Sequence, residues 1–288
     1  MGFSIKELSY MERHLIFLTE QELTGPWFSF ILKGEDVGLI PVVLKNIEPT
    51  PIYKMVNTRK GSVIDRITMD FDINEYLKKL VKLEEIPPIN LKKKSSTIRL
   101  YVDVFNRPKV PFINTFFTMK NISDYNLVDF SMYFVFDFDI NGLEGFDNDY
   151  SGYDAENDII YQFDHTGLYG GFSPISRSTH YETCLTKDFR IDNDHLNLSN
   201  TLYPGKGEIL SALQIEFMTL EPNHTFQTAL VISGGLGKEE LINNIKEGKI
   251  NAIKFLSQVN RSVKSEQRNV QAEAFIKINQ MQSVDCDH

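Results

Sequence analysis

The residues whose types and spacing come closest to a known chemistry form an Asp-x-Asp-x-Asn-Gly pattern near the middle of the chain. The pattern consists of Asp137, Asp139, Asn141 and Gly142. It matches the first half of an EF-hand calcium loop, in which oxygens at positions 1, 3 and 5 precede a glycine at which the chain turns. The glutamate that should end such a loop is replaced by Asn148. Two interpretations stay open: a solvated Asn-Gly turn, or a calcium site, the only cofactor predicted, with the ligands Asp137, Asp139, Asn141 and Asp147 or Asp149.

Three histidines follow at intervals of fifteen residues, at positions 165, 180 and 195. A histidine can act as a general acid and base near neutral pH, or it can coordinate a metal. The chain has neither the His-x-His nor the His-Glu-x-x-His spacing of common metal sites. His165 and His180 are therefore candidates for a functional histidine, and ordinary surface histidines are the alternative.

Tyrosines interleaved with acids and glycines mark a candidate ligand-binding segment. Its residues are Tyr150, Tyr153, Asp154, Tyr161 and Tyr169. An exposed aromatic ring offers a flat apolar face, and neighbouring carboxylates and carboxamides accept or donate hydrogen bonds. This combination is typical of sugar recognition, and packing of the rings in the core is the alternative for each residue.

Motifs that would identify a reaction are absent from the sequence. There is no Gly-x-Ser-x-Gly nucleophile elbow and no P-loop, and the glycines between positions 234 and 237 are too few to cradle a phosphate. Cys184 has no neighbours that would activate a thiol. Paired carboxylates could hydrolyse a glycosidic bond, but acids are so common here that a pair carries little information.

The elements that must position these residues are mostly strands joined by turns. Alternating or short apolar runs bounded by turn residues predict strands. The clearest are Phe28–Leu32, Val37–Leu44, Thr97–Phe105 and Asp129–Asp139. In the last of these, Met132, Phe134, Phe136 and Phe138 share one face. A short helix is predicted over Asn74–Lys82. Many strands without regular intervening helices should pair antiparallel and stack as two large sheets.

The last part of the chain changes from strand to helix spacing. Glu208–Leu220 and Thr225–Ser233 are predicted to be two strands of one hairpin. After Gly237 the apolar residues recur at helical spacing, with a break expected at Gly248 and a second helix over Ser265–Gln282. We therefore predict a β-sandwich domain over residues 1–236 and a helical tail over residues 237–288.

Charge and composition limit the partners of the protein. The net charge is −9, and nine acids without a lysine or arginine lie between Val135 and His165, which disfavours nucleic acid binding. No apolar run reaches the length that spans a bilayer, and the N-terminus is charged where a signal peptide is apolar. The two cysteines, Cys184 and Cys286, form neither a disulfide framework nor a metal pattern. We predict a cytoplasmic protein with no membrane and no nucleic acid partner.

One family resemblance rests on the order of these features. A strand with paired aspartates (Phe136–Ile140) leads to a tyrosine-bearing turn (Asn148–Asp154), and two further strands follow (Asn157–Gln162 and Gly167–Phe172). A pair of strands over Ala212–Val231 and a helical segment complete the order. From about residue 95 to 260 the chain resembles the N-terminal β-supersandwich domain of prokaryotic glucoamylase-like and glucodextranase-like glycoside hydrolases.

The resemblance implies a fold related to galactose mutarotase, with two large antiparallel sheets packed face to face. In those hydrolases the domain precedes an (α/α)6 barrel that carries the catalytic glutamates. This chain has no such barrel, so no catalytic residue carries over. Mutarotases of similar fold use histidines and a carboxylate, which makes His165, His180 and Glu216 catalytic candidates.

Three functions remain open at this point. The first is a non-catalytic module that binds a carbohydrate or a protein, with an oligosaccharide or a separate hydrolase subunit as the partner. The second is a sugar-active enzyme, either a mutarotase-like epimerase or a glycoside hydrolase. The third is a structural protein whose helical tail forms homo-oligomers. The missing catalytic motifs favour the first.

Overall fold

The structure is a computed structural model of the 288-residue chain. It describes residues 7–17, 24–34, 37–44, 54–57, 63–86, 88, 95–106, 110–142, 145, 147–192 and 195–257. The strands are β1 Glu7–Tyr10, β2 Arg13–Phe17, β3 Gly25–Gly34, β4 Gly38–Leu44, β5 Lys54–Asn57, β6 Val63–Asp72, β7 Thr97–Asn106, β8 Phe112–Asn121, β9 Asn126–Asp137, β10 Tyr150–Asp154, β11 Ile159–Phe163, β12 Leu168–Pro174, β13 His180–Leu185, β14 Ile209–Leu220 and β15 Thr225–Leu236. The helices are α1 Ile73–Lys82 and α2, residues 238–257.

The strands form two large antiparallel sheets and one small hairpin. The eight-stranded sheet has the order β10-β11-β12-β15-β8-β7-β6-β5, and the five-stranded sheet has the order β13-β14-β9-β3-β4. Strands β1 and β2 pair with each other. This arrangement confirms the predicted fold class, a large two-sheet β-sandwich with a helix after the last strand.

The core lies between the two large sheets and is rich in phenylalanine. The rings of Phe117 on β8 and Phe134 on β9 are 5.4 Å apart, and those of Phe136 on β9 and Phe172 on β12 are 4.6 Å apart. Phe28 and Phe130 also belong to this core. Since burying a phenylalanine stabilises a fold by about 1.5–3 kcal/mol, these rings hold the two sheets together.

From Phe130 to Asp137, strand β9 is buried on both of its faces. Its second face, away from the core, carries Tyr133 and Val135, as the alternation predicts. Ile191 and Leu198, from the segment between β13 and β14, pack over that face together with Trp27. We call this face of the five-stranded sheet its outer face; the segment covers only part of it.

The predicted hairpin of β14 and β15 is wrong, although both strands exist. Strand β14 pairs with β13 and β9 in the five-stranded sheet, whereas β15 pairs with β12 and β8 in the eight-stranded sheet. The short connection between Leu220 and Thr225 therefore crosses from one sheet to the other. Both strands are apolar over most of their length, so each needs a neighbouring strand on both sides. A two-stranded hairpin would leave their apolar side chains exposed to solvent.

The helix α1 lies as predicted, within one residue at its start. The Asp72 carboxylate caps it by accepting hydrogen bonds from the backbone N–H of Asn74 at 2.9 Å and of Glu75 at 3.4 Å. A side-chain oxygen at this position satisfies N–H groups that have no partner within the helix. Leu77 and Leu80 point into the core.

The helix α2 runs through Gly248 without a break, contrary to the expectation from sequence. A Cβ at Gly248 would lie 2.3 Å from Val231 on β15, so glycine is required there by close packing rather than by a kink. Leu241, Ile245 and Ala252 are buried against the eight-stranded sheet. The predicted helix over Ser265–Gln282 lies outside the described residues. None of the described helices is long and apolar enough to cross a membrane.

Candidate functional site

The residues singled out in the sequence fall in three places, and the first is the tyrosine segment. Strand register puts Tyr150 opposite Phe163 and Phe163 opposite Tyr169 on adjacent strands. Their rings stack with centroid distances of 5.6 and 4.8 Å. We call these three residues the aromatic ladder. Tyr150, which is 40% exposed, ends the ladder on the edge strand β10. Phe163 stacks with both tyrosines, and Tyr150 is the one exposed ring of the ladder.

Tyr161 and Asp154 lie beside the ladder on the same face of the sheet. The Tyr161 ring covers Gly152, where a Cβ would come within 2.5 Å of it. The Lys238 ammonium lies 5.1 Å from the centroid of this ring, a cation–π contact, and the charge of Lys238 helps to lower the pKa of Asp154. Burial by itself would raise the pKa of the Asp154 carboxyl. Hydrogen bonds from Asn157 lower it, and together with the charge of Lys238 they outweigh burial, so the pKa is lowered.

Tyr153 lies on the opposite face of β10 from the other four predicted ligand-binding residues. Its ring stacks on Tyr181 at 4.1 Å, and its hydroxyl donates a hydrogen bond to Asp158 at 2.8 Å. Burial, followed by the hydrogen bond to Asp158, raises the pKa of Tyr153. Side chains alternate along a strand, so Tyr150 and Tyr153 could not share a face.

The second place is the Asp-x-Asp-x-Asn-Gly loop. Asp137 and Asp139 are buried, Asp147 is exposed, and Asp149 is fully buried instead. The Asn141 side-chain oxygen accepts two hydrogen bonds from Arg13, at 3.0 Å from Nε and 2.7 Å from a terminal nitrogen. A guanidinium thus occupies the oxygen that a calcium ion would need.

Burial dominates the electrostatics of this loop. It raises the pKa of Asp137 to about 8, with further contributions from the charges of Asp139 and Glu208. It raises the pKa of Asp149 to about 9, and a hydrogen bond at 3.2 Å from the Ile140 N–H only partly opposes the shift. Within the described part of the chain no three His, Cys, Asp or Glu side chains are arranged to hold a metal. Calcium binding here stays a prediction.

The third place is a groove on the outer face of the five-stranded sheet, lined by the catalytic candidate Glu216. His180 on β13 and Glu216 on β14 are joined at 3.3 Å from Nδ1 to Oε1. His165 is not part of this site: it lies in the turn between β11 and β12 of the other sheet, with its side chain 83% exposed. His195 also lies elsewhere and pairs with Asp192 at 3.0 Å.

We call this feature the polar groove. Its volume is about 550 Å³, and its lining residues are Ser29, Ile31, Asp129, Ser131, Thr179, Leu196, Asn197, Glu216, Phe217 and Met218. Hydroxyl, carboxamide and carboxylate groups line it together with apolar side chains. The strands β3, β9 and β14 and the covering segment between β13 and β14 all contribute.

A buried glutamine holds several of the polar groups of the groove. Gln214 on β14 pairs with His180 in the strand register. Its side-chain nitrogen lies 2.9 Å from the Asn197 oxygen, 3.2 Å from Glu216 Oε1 and 3.4 Å from Ser131 Oγ. Its side-chain oxygen accepts a hydrogen bond from the Leu198 N–H at 3.0 Å. Gln214 therefore links groove residues on the sheet to the segment between β13 and β14 that covers part of the sheet.

A tyrosine hydroxyl holds the same covering segment at a second point. Tyr133 donates a hydrogen bond to the Leu196 carbonyl, and its oxygen lies 2.7 Å from Ser29 Oγ. Burial raises the pKa of Tyr133, and the hydrogen bond with Ser29 opposes the shift. The covering segment is thus held in place before a ligand binds, so less conformational entropy is lost on binding.

Sequence reasoning found Glu216 and His180 but missed the other polar groups of the groove. Ser29, Ser131 and Gln214 interrupt strands that are otherwise apolar, and this interruption is a signal that the sequence did contain. Nothing in the sequence showed that β3, β9 and β14 are neighbours. Cys184 lies apart from the groove lining, and burial raises the pKa of its thiol to about 12, which keeps it unreactive.

The comparisons with known proteins identify the fold. No protein-family model and no curated protein matches the chain. A bacterial glucoamylase complexed with acarbose is similar in structure, with a TM-score of 0.52 and 12% identity over 88% of this chain and 32% of that chain. A polysaccharide lyase (TM-score 0.46, 10% identity, 85% of this chain and 33% of that chain) and a Synechocystis protein (TM-score 0.43, 11% identity, 80% and 88%) are further structural neighbours.

The chain thus spans about a third of the length of the glucoamylase that it matches. At 12% identity the likeness concerns the fold and not the activity. The similarity extends beyond the segment from about 95 to 260 on which the sequence resemblance rested. The chain has the β-sandwich fold that this resemblance to glucoamylase-like enzymes predicted.

Proposed function

We propose that the protein is a non-catalytic carbohydrate-binding module and that the polar groove is its binding site. The observation that carries this proposal is the convergence of hydroxyl, carboxamide and carboxylate groups in one preformed groove. Its volume of about 550 Å³ lies within the range of ligand sites, roughly 300–1,000 Å³. The fold shared with a glucoamylase supports a sugar-related role.

The chemistry of the groove suits a sugar better than a purely apolar or a phosphorylated ligand. Sugar hydroxyls both donate and accept hydrogen bonds, and serines, a carboxamide and a carboxylate supply both kinds of partner. Ile31, Leu196 and Met218 supply apolar surface for the C–H groups of a sugar ring. The carboxylates of the groove would repel a phosphate.

Calorimetric titration of the full chain with gluco-oligosaccharides of α and β linkage tests the proposal. We expect one class to bind, and Asn197→Ala to weaken binding about tenfold, because one hydrogen bond to a polar ligand is lost. Asn243→Ala, on the exposed side of α2, is the matched control. A ligand at ten times its Kd adds about 1.4 kcal/mol to the free energy of unfolding, so a thermal shift provides a second readout. If no oligosaccharide binds, the proposal is wrong.

A sugar-active enzyme is the second candidate, and the contact between His180 and Glu216 favours it. A carboxylate that holds an imidazole can orient it as a general base. Polarimetry would show whether the protein accelerates the interconversion of sugar anomers. An epimerase predicts that His180→Ala abolishes the acceleration while His165→Ala, outside the groove, preserves it. A wild-type rate equal to that of the buffer contradicts this candidate.

A protein-interaction role is the other form of the first proposal, with a hydrolase subunit or a second copy of the chain as partner. The described part of the tail, α2, packs on its own sheet through Leu241 and Ile245. This packing supports a tail that completes the sandwich rather than one that assembles oligomers. Equal elution of the protein alone and of a mixture with a glucoamylase-type catalytic subunit would count against a hydrolase partner.

A further inference from the structure

The polar groove carries acidic groups without basic ones to balance them. Asp129 and Glu216 line it, and among its described lining residues there is no lysine or arginine. His180, which is not among the lining residues, contacts Glu216 at 3.3 Å. The electrostatic potential of the groove is therefore negative, and a ligand that brings a positive charge gains from it.

The Glu216 carboxylate is held in place and still accessible. Gln214 and His180 both contact its Oε1, at 3.2 and 3.3 Å, and its side chain is 43% exposed. Both contacts use the same oxygen, so the second oxygen is the one that a ligand can approach. A carboxylate fixed in this way loses little rotamer freedom when it accepts a hydrogen bond.

Asp129 is aimed by an irregularity in the central strand β9. Between the pairs Ser131–Ser29 and Val128–Ile31, β9 has one residue more than β3, so it forms a β-bulge. Asp129 lies in this bulge with φ of 51°, a left-handed conformation that aspartate tolerates better than most residues. Bulges re-aim side chains, and this one puts a second carboxylate into the lining of the groove.

We propose that the polar groove selects saccharides that carry a free amine, with Asp129 and Glu216 as the residues that determine this specificity. This inference rests on the proposed function. A protonated amine on a sugar ring donates charge-assisted hydrogen bonds to carboxylates, which are stronger than those from a hydroxyl. A uronic acid or a sulfated sugar is repelled for the same reason.

The test compares trisaccharides that differ mainly in charge. The probes are a glucosamine trimer with free amines, its fully N-acetylated form, cellotriose, maltotriose and a galacturonic acid trimer. Each is titrated into the full chain by calorimetry at slightly acidic pH and low ionic strength. We expect the free-amine trimer to bind roughly tenfold more tightly than the neutral ones, and added salt to reduce the difference.

Two variants remove one charge each while keeping the shape of the groove. Asp129→Asn retains a residue that tolerates the left-handed conformation, and Glu216→Gln retains an oxygen that Gln214 can bind. Each should reduce the ratio of the affinity for the free-amine trimer to the affinity for cellotriose and maltotriose about threefold to tenfold. Glu239→Gln, on an exposed position of α2, is the charge-matched control and should change nothing.

The outcomes separate this inference from the proposed function. Neutral trisaccharides that bind as tightly as the free-amine trimer overturn the inference and leave the binding function standing. A preference for the amine that neither variant reduces also overturns it, because the selecting charges then lie elsewhere. If none of the saccharides binds, both the inference and the proposed function fail.

Discussion

At the scale of single residues, the most unusual groups are the buried carboxyls that follow β9. Asp149 is fully buried, one of its oxygens accepts a hydrogen bond from the Ile140 N–H, and the other has no partner. With a pKa of about 9, this carboxyl is protonated in the folded protein at neutral pH. In the unfolded chain it ionises near its ordinary value of 3.8.

The pKa shift of Asp149 predicts how stability changes with pH. Between pH 4 and 9 the folded protein holds a proton that the unfolded chain has lost, so the free energy of unfolding falls as the pH rises. Asp149→Asn removes this effect. Relative to the wild type, the variant should gain stability with rising pH, by up to about 1.4 kcal/mol for each pH unit in this window.

Urea unfolding at several pH values between 5 and 8 measures this difference. Asp188→Asn, on the short helical turn after β13, serves as the control because that carboxylate is exposed. A constant difference between the wild type and Asp149→Asn over the whole range would show that Asp149 is ionised in the folded state.

A second prediction at this scale concerns the bulge at Asp129. Asp129→Val should destabilise the fold by about 1–2 kcal/mol, because a β-branched side chain is strained at a positive φ. Asp129→Asn should cost much less, since asparagine adopts this conformation readily. Chemical denaturation of both variants checks the ranking, and equal stability of the two would mean that β9 is regular at this position.

At the scale of elements, close packing between α2 and the eight-stranded sheet restricts which residue can occupy position 248. Gly248 faces Val231 and Phe112, and an added Cβ would lie 2.3 Å from Val231. In an isolated helix, alanine is more favourable than glycine by about 1 kcal/mol. In this protein the helix and the sheet would have to move apart to make room for an alanine side chain at position 248.

We therefore expect Gly248→Ala to destabilise the protein by about 1–3 kcal/mol despite its better helix propensity. Lys246→Ala, on the exposed side of the same helix, is the control and should be close to neutral. Thermal unfolding followed by circular dichroism measures both. A stabilising Gly248→Ala would show that α2 packs less closely on the sheet than the structure indicates.

At the scale of the whole molecule, α2 is part of the sandwich although it follows the last strand. Leu241 and Ile245 pack with Ile159 and Val231 of the eight-stranded sheet, and Phe255 packs with Phe105 and Phe116. Removing the chain after Gly237 would expose the side chains that α2 covers. A change in assembly could then not be distinguished from a loss of stability. A truncation after residue 257 leaves this packing intact.

We expect the protein truncated after residue 257 to keep the melting temperature and the oligomeric state of the full chain, because it retains the packing of α2 on the eight-stranded sheet. Light scattering coupled to size exclusion gives the mass of each form. Fewer protomers per particle in the truncated form would mean that residues 258–288 mediate assembly. An unchanged number of protomers would exclude assembly through this segment.

Much of the fold could be predicted from local pattern alone. The alternation of phenylalanines on β9, the apolar runs of β3 and β7, and the helix after Asp72 depend on neighbours in sequence, and all were predicted correctly. The order of features after residue 95 was sufficient to predict a sandwich of the glucoamylase type. Both results follow because periodicity records which face of an element is buried.

Only the tertiary structure decided which strands are neighbours, and the candidate site depends on that. Strands β14 and β15, four residues apart, belong to different sheets, while Ser29, Ser131 and Gln214 meet although the chain separates them widely. Pairing between distant strands is set by how all the apolar faces can be buried together, and no local pattern encodes it. The sequence by itself determined the elements and the types of their side chains; the polar groove exists only because β3, β9 and β14 became neighbours in one sheet.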